Sequence, residues 1–374
     1  MTTSRDFPHA MLREIFEQPE SIRRTLAAYA DGGSLREEAF LPARHALASR
    51  ESILICASGS SRHAGLISEI LFEDLAGIAV DVEYASEYIY RSTQTLQNPC
   101  FLAISQSGET ADTTEALREA SARGSSTIAV TNRPESSMAR MANCSLPTMA
   151  GVERAIPATK SFTAQIAVLS LLALYTARIR GRMTRAVVES HLAELYKAPD
   201  AIAAALPEWE RQVCQLASTL QKAESFLFLG RGVHYPIARE GALKLKESAY
   251  IQAEGYPTGE LKHGPNALVN PQTALIVLAT LDERSPDSRL RYQKTINLLR
   301  DLQPQQPEII SIVTEGDTEL GELSRYTIAV PRTPEYIAPL YEVISLQLLA
   351  YFMAIGRGID VDHPRNLVKA VVEE

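Results

Sequence analysis

Residues 52–61 read Ser-Ile-Leu-Ile-Cys-Ala-Ser-Gly-Ser-Ser, and a helical stretch, His63 to Leu75, follows. The apolar run Ile53–Ala57 has the length and composition of a strand buried on both faces, as in a parallel sheet. It ends in a hydroxyl-rich turn that opens a helix, where backbone N–H groups lie without intrahelical partners. This strand–turn–helix unit recurs along the chain. Ala79–Tyr84 forms a second candidate strand. Phe101–Ile104 runs into Ser105-Gln106-Ser107-Gly108-Glu109-Thr110 and a helix over Thr113–Arg123, and Ser126–Thr131 is a further strand. A long helix from about Ser161 to Arg180 closes this half. The pattern starts again at Ser225: Phe226–Leu229 enters Gly230-Arg231-Gly232 and a helix, Ala274–Ala279 matches the Phe101 strand, Glu308–Val313 matches the Ser126 strand, and Ile337–Ile355 matches the long helix.

The expected fold is therefore α/β, two tandem doubly wound parallel-sheet domains of flavodoxin-like type, made by internal duplication of a unit of about 150 residues. The expected boundaries are a helical N-terminal segment over 1–48, a first domain over 49–200, a second over 201–358 and a C-terminal tail over 359–374. Ligands of such sheets bind beyond the carboxyl ends of the strands.

The chain has 374 residues, 45% of them hydrophobic, and a net charge of −8. The charge and the lack of a basic tract argue against a nucleic-acid partner. Cys56, Cys100, Cys144 and Cys214 lie far apart with no C-x-x-C spacing, so buried free thiols are expected rather than a metal site or disulfides. No histidine spacing supports a metal. The N-terminus has no apolar signal core, and the most apolar run, Ala164–Ala177, is too short to span a bilayer. A cytoplasmic protein with no membrane partner and no cofactor is expected.

Two constellations carry chemistry. Ser60 and Ser61, with Ser105, Gln106, Ser107 and Thr110, follow adjacent strands and precede helices, which reads either as an anion cradle or as plain helix capping. Two such clusters at neighbouring strand ends favour the cradle. The second half has no matching serines, so one half holds the anion. The other constellation is Glu240–Pro265, EGALKLKESAYIQAEGYPTGELKHGP, read as one helix followed by a Gly/Pro-punctuated loop. Ala238, Ala242, Leu245 and Ala249 form an apolar stripe, while Glu240, Lys244 and Glu247 fall opposite, in reach of one another. Alone this is a solvated ion-pair ladder. Ile251, taken as projecting within the charged face, and the loop histidine His263 point instead to a proton-shuttling site. Lys369, by itself, is a tail lysine.

Ser105–Thr113 resembles the signature of sugar isomerase (SIS) domains. Ala85-Ser86-Glu87, Thr159-Lys160-Ser161-Phe162, Gly241–Glu247, Glu260–Pro265 and Asp362–Lys369 resemble the isomerase half of glucosamine-6-phosphate synthases. The resemblance runs from Met11 to the C-terminus. It implies that Ser61, Ser105, Gln106, Ser107 and Thr110 bind a sugar phosphate, with Ile156 also at the substrate. It implies that Glu247 moves a proton between C1 and C2, and that Lys244 assists at the substrate oxygens. His263 would open the sugar ring from the neighbouring subunit of a homodimer. Lys369 would stand where the family has a Schiff-base lysine. Two departures matter: Thr2 stands where the synthases have a nucleophilic cysteine, with no room expected for a glutaminase domain, and Ala158 replaces a serine before Thr159-Lys160. The expected activity is deamination of glucosamine 6-phosphate to fructose 6-phosphate. Ammonia-dependent synthesis, hexose-6-phosphate isomerisation, a fructosamine-phosphate deglycase and a non-catalytic sugar-phosphate sensor are the alternatives. A sensor needs only the cradle, so the presence of Lys244, Glu247, His263 and Lys369 favours an enzyme.

Overall fold

The computed structural model describes residues 5–91, 99–223 and 225–370. Five strands make the first sheet: β1 (Ser52–Ala57), β2 (Ala79–Tyr84), β3 (Cys100–Ser105), β4 (Ser126–Thr131) and β5 (Cys144–Pro147). All neighbours are parallel, in the order β2-β1-β3-β4-β5. The second sheet contains β6 (Ser225–Gly230), β7 (Gln252–Pro257), β8 (Ala274–Leu278), β9 (Glu308–Thr314) and β10 (Tyr326–Val330), again all parallel, in the order β10-β9-β8-β6-β7. Counted within its own half, each sheet runs 2-1-3-4-5, the flavodoxin-like order. The duplication read from the sequence is thus a duplication of topology.

Residue contacts group into two compact units. One gathers the chain up to Glu17, Arg154–Thr159 and Asp200–Leu367; the other gathers Gln18–Glu153, Lys160–Pro199 and the tail from Val368. Each contains one sheet.

Burial explains which strands were legible. β1, β3 and β8 are buried at every position, and their apolar runs announce them. The edge strands β7 and β10 are buried only in part; β7, Gln-Ala-Glu-Gly-Tyr-Pro, reads as polar, and β10 has five residues with only Ile328 and Val330 buried. Consequently the stretch Glu240–Pro265 is not a helix followed by a loop. The helix His234–Ala249 ends where Tyr250 adopts a left-handed conformation (φ 56°), strand β7 follows, and a 3₁₀ turn spans Thr258–His263. Ile251 lies beyond that helix and is buried, so it does not project from the charged face.

The helices Lys160–Ile179 and Ala338–Gly356 are the core of their units, and nearly all their side chains are buried. Each such Leu or Ile side chain contributes roughly 1.5–3 kcal/mol. The first helix has 20 residues, longer than its apolar run implied, and is apolar enough to cross a bilayer; the same holds for the helical span 335–356. Both are buried inside the fold, 89% and 94% by window, as core helices are. Cys56, Cys100 and Cys144 are buried thiols, but Cys214 is exposed, because it sits on the outer face of the amphipathic helix Ala198–Leu220.

Candidate functional site

The hydroxyl-rich turns stand at the carboxyl ends of β1 and β3, neighbours in the first sheet at its topological switch point. After β1, Ser60 and Ser61 fall in the first turn of the helix Gly59–Leu71, and the Ser61 hydroxyl accepts a hydrogen bond from Gln165 Nε2 at 3.0 Å. After β3, the hydroxyls are organised by the backbone. Ser105 Oγ accepts from the Gly108 N–H at 3.1 Å and lies 2.9 Å from Thr110 Oγ1 and 3.5 Å from Ser107 Oγ. Ser107 Oγ accepts from the Glu109 N–H at 3.1 Å. Gln106 fixes the turn through its carbonyl, which accepts from the Asn132 N–H at 3.1 Å and from Thr131 Oγ1 at 3.3 Å.

Two features lock this turn. Gly108 has φ +64°, and a Cβ on it would lie 2.1 Å from Ser136 Oγ, so only glycine fits. Glu109 accepts the Ser137 N–H at 2.8 Å, and that bond holds its carboxyl below the usual range. The result is a ring of neutral donors at a helix N-terminus, suited to an anion such as phosphate.

Lys369 approaches a carboxylate absent from the sequence reading. Its Nζ lies 2.7 Å from Glu153 Oε2, and Glu153 is wholly buried. Glu153 also accepts the Ser161 N–H at 3.0 Å and the Ser161 hydroxyl at 2.7 Å, at the start of the helix Lys160–Ile179. A lone acid in a loop just ahead of an apolar helix was the one available signal for it.

In the other unit, the helix His234–Ala249 carries Glu240, Lys244 and Glu247. The ladder is not solvated: Glu240 is 0% and Lys244 1% exposed. Gly241 shows why. A Cβ there would lie 2.6 Å from Leu346 Cδ1 and 2.9 Å from Phe228 Cε1, so the helix is pressed against both β6 and the helix Ala338–Gly356. Lys244 Nζ lies 2.6 Å from Glu247 Oε2 and 3.5 Å from Glu240 Oε1. Glu247 keeps 23% of its side chain accessible. It opens onto a groove of about 370 Å³ that Tyr250, Gln252 and the tail residues Arg365 and Leu367 also line. The tail is pinned there: the Arg365 N–H donates to the Tyr250 hydroxyl at 2.6 Å, and the Arg365 guanidinium sits 4.2 Å above the Tyr250 ring. Sequence reasoning had no cue for Tyr250. His263 is exposed at the end of its 3₁₀ turn. Ile156 donates its N–H to the Asp362 carbonyl at 3.2 Å, again through the tail. Among the described residues no group of three His, Cys, Asp or Glu is placed to hold a metal ion.

At the switch point of the second sheet, where the first has its serines, stand His234 and Thr280. His234 Nδ1 lies 2.8 Å from Glu342 Oε1 and 3.1 Å from Oε2, and Thr280 Oγ1 donates to Glu342 Oε1 at 2.8 Å. Glu342 occupies nearly the place on its long helix that Gln165 has on the matching one. The second crevice is thus filled by the protein's own carboxylate.

These features define a class: a tandem α/β protein of flavodoxin-like order whose two halves have diverged, one keeping a hydroxyl-lined anion cradle, the other a buried amine–carboxylate helix. The chain belongs to the SIS domain family, which it matches over residues 46–175 and 219–357. It is 41% identical over 371 residues to the glutamine–fructose-6-phosphate aminotransferase (isomerizing) of Chlorobaculum tepidum, across 98% of this chain and 59% of that protein. The chain thus spans about three-fifths of the length of such relatives. The C-terminal domain of glucosamine-fructose-6-phosphate aminotransferase from Francisella tularensis superposes with a TM-score of 0.89 at 34% identity, over 96% of this chain and 99% of that one. Glucosamine-6-phosphate deaminase from Thermotoga maritima shares the fold at a TM-score of 0.72 and 23% identity, over 97% and 99% of the two chains.

Proposed function

We propose that the chain is an amino-sugar-phosphate deaminase that isomerises as it works, taking glucosamine 6-phosphate and water to fructose 6-phosphate and ammonia. One observation carries the reading: Glu247, partly open to a groove, is held 2.6 Å from the buried cation of Lys244. A partly accessible carboxylate backed by a buried amine is a base placed to take a proton from carbon beside a carbonyl. The relatives whose names include an isomerizing aminotransferase of fructose 6-phosphate support the substrate class.

In this mechanism the phosphate sits on Ser61, Ser105, Gln106, Ser107 and Thr110, with Ser60 and Ile156 beside the substrate. His263, contributed by the partner chain of a homodimer, opens the ring. Glu247 removes the C2 proton of the open-chain aldehyde, giving an enaminol, and returns a proton to C1, which leaves a C2 imine. Lys244 donates to the oxygen that gains charge at C1. Water adds at C2 and ammonia leaves. Lys369 attends the ketose carbonyl.

The test is product analysis with glucosamine 6-phosphate and galactosamine 6-phosphate as substrates. Ammonia and fructose 6-phosphate in equal amounts from the gluco epimer are expected. Hexose 6-phosphate isomerisation without ammonia from either sugar would replace this reading with that of a simple aldose–ketose isomerase.

A further inference from the structure

Glu153 and Lys369 form a contact whose chemistry exceeds that of a tail anchor. A lysine amine is protonated near neutral pH and in that state has no lone pair with which to attack a carbonyl. Lys369 has its Nζ 2.7 Å from a carboxylate oxygen that is wholly buried, while 27% of the lysine side chain stays accessible. The carboxylate is aimed by two further donors on one residue, since the Ser161 N–H reaches Oε1 and its hydroxyl reaches Oε2. The acceptor is therefore held in place.

We propose that Glu153 is the proton acceptor that readies Lys369 for imine formation with the ketose phosphate, a positioning residue acting through Lys369; the proposal rests on the sugar-phosphate reading above. Sugar bound over Lys369 covers its remaining exposure, and keeping two opposite charges apart from water then becomes costlier. The proton passes along the 2.7 Å contact from Nζ to Oε2. The neutral amine attacks C2 of the open-chain ketose, an N–C bond forms, and the two protons of the nitrogen pass to the former carbonyl oxygen as its C–O bond breaks. That oxygen leaves as water and the imine remains. The two Ser161 donors favour the ionised carboxylate, so Glu153 surrenders the proton again when the lysine is released.

The experiment is borohydride trapping with fructose 6-phosphate as the probe, the adduct on Lys369 being quantified by mass spectrometry of tryptic peptides from pH 6 to 10. Wild-type protein is expected to trap at neutral pH. Glu153→Gln keeps the shape but cannot take the proton. It is expected to trap at least about tenfold less at pH 7, in keeping with the usual weight of a general base, and to recover as solvent deprotonates the amine at high pH. Glu153→Asp, which keeps the charge one methylene farther back, should trap at an intermediate level with a wild-type pH profile, and it decides the matter if the Gln variant does not fold. No adduct on Lys369 in wild-type protein overturns the proposal, as does a loss by the same factor at every pH in both variants, which is the signature of a tail anchor alone. Failure of ammonia release with the adduct intact would sink the deaminase reading and leave this one standing.

Discussion

Lys244 and Glu247 are joined at 2.6 Å across one turn of a helix, the lysine 1% exposed and the carboxylate 23%. The asymmetry separates two duties. The buried amine, also 3.5 Å from the wholly buried Glu240, neutralises charge inside the protein, while the base faces the groove. Lys244→Met removes the cation and leaves the buried Glu240 without it. Breaking a buried pair from one side costs about 3–5 kcal/mol. Urea unfolding is expected to show a loss of that order, partly restored by adding Glu240→Gln. A stability within about 0.5 kcal/mol of wild type would mean the pair is as weak as a surface ion pair.

The phosphate cradle depends on a backbone that tolerates no side chain at one point. Gly108→Ala forces a positive φ and a collision with Ser136. Strain of this kind costs on the order of 1–3 kcal/mol, and the turn carrying Ser105, Ser107 and Thr110 must shift. Calorimetric titration with fructose 6-phosphate is expected to show affinity reduced at least about tenfold, the equivalent of 1.4 kcal/mol. Ser105→Ala, which strips the Gly108 N–H of its acceptor, should weaken binding by a similar factor through the cost of an unmet buried donor. Binding unchanged in both variants would remove the phosphate from this turn.

His234 sets an alkaline limit on stability. Burial disfavours its charged form, but Glu342 and Glu335 outweigh this and raise it to about 10. Burial raises Glu335 too, yet the His234 ring 3.4 Å away and the hydrogen-bonded Arg291 guanidinium outweigh it and lower the carboxyl to about 2. Because the His234 value lies above that of an unfolded histidine, about 6.5, its stabilisation is full below that pH and is lost as the pH rises through about 10. The contribution of Glu335 runs the other way, full above about 4.5 and lost toward about 2. The unfolding free energy from urea titrations between pH 6.5 and 9.5 should fall in wild type with a contribution from this histidine approaching one proton, about 1.4 kcal/mol per pH unit. His234→Gln should flatten that slope, and parallel curves would contradict the assignment.

The duplicated fold was legible because β1, β3, β6 and β8 are central strands with continuous apolar runs, three of them, β1, β3 and β6, ending in Ser or Gly turns. Strand β7 was not, since Gln252, Glu254 and Pro257 at a sheet edge carry little apolar periodicity. Local spacing brought Glu240, Lys244 and Glu247 together correctly but could not reveal their burial, which comes from Leu346 and Phe228, distant in sequence. Glu153 and Tyr250 stayed hidden for the same reason: their partners Lys369 and Arg365 lie more than a hundred residues away.

The assignment of Glu247 as the base between C1 and C2 is tested most directly by incubating fructose 6-phosphate with the protein in deuterium oxide and following the C1 protons by NMR. Wild-type protein is predicted to replace one C1 hydrogen with deuterium. Glu247→Gln, a near-isosteric change, should still bind the sugar phosphate and lose the exchange by at least about a hundredfold. Exchange at the wild-type rate in Glu247→Gln would contradict the account.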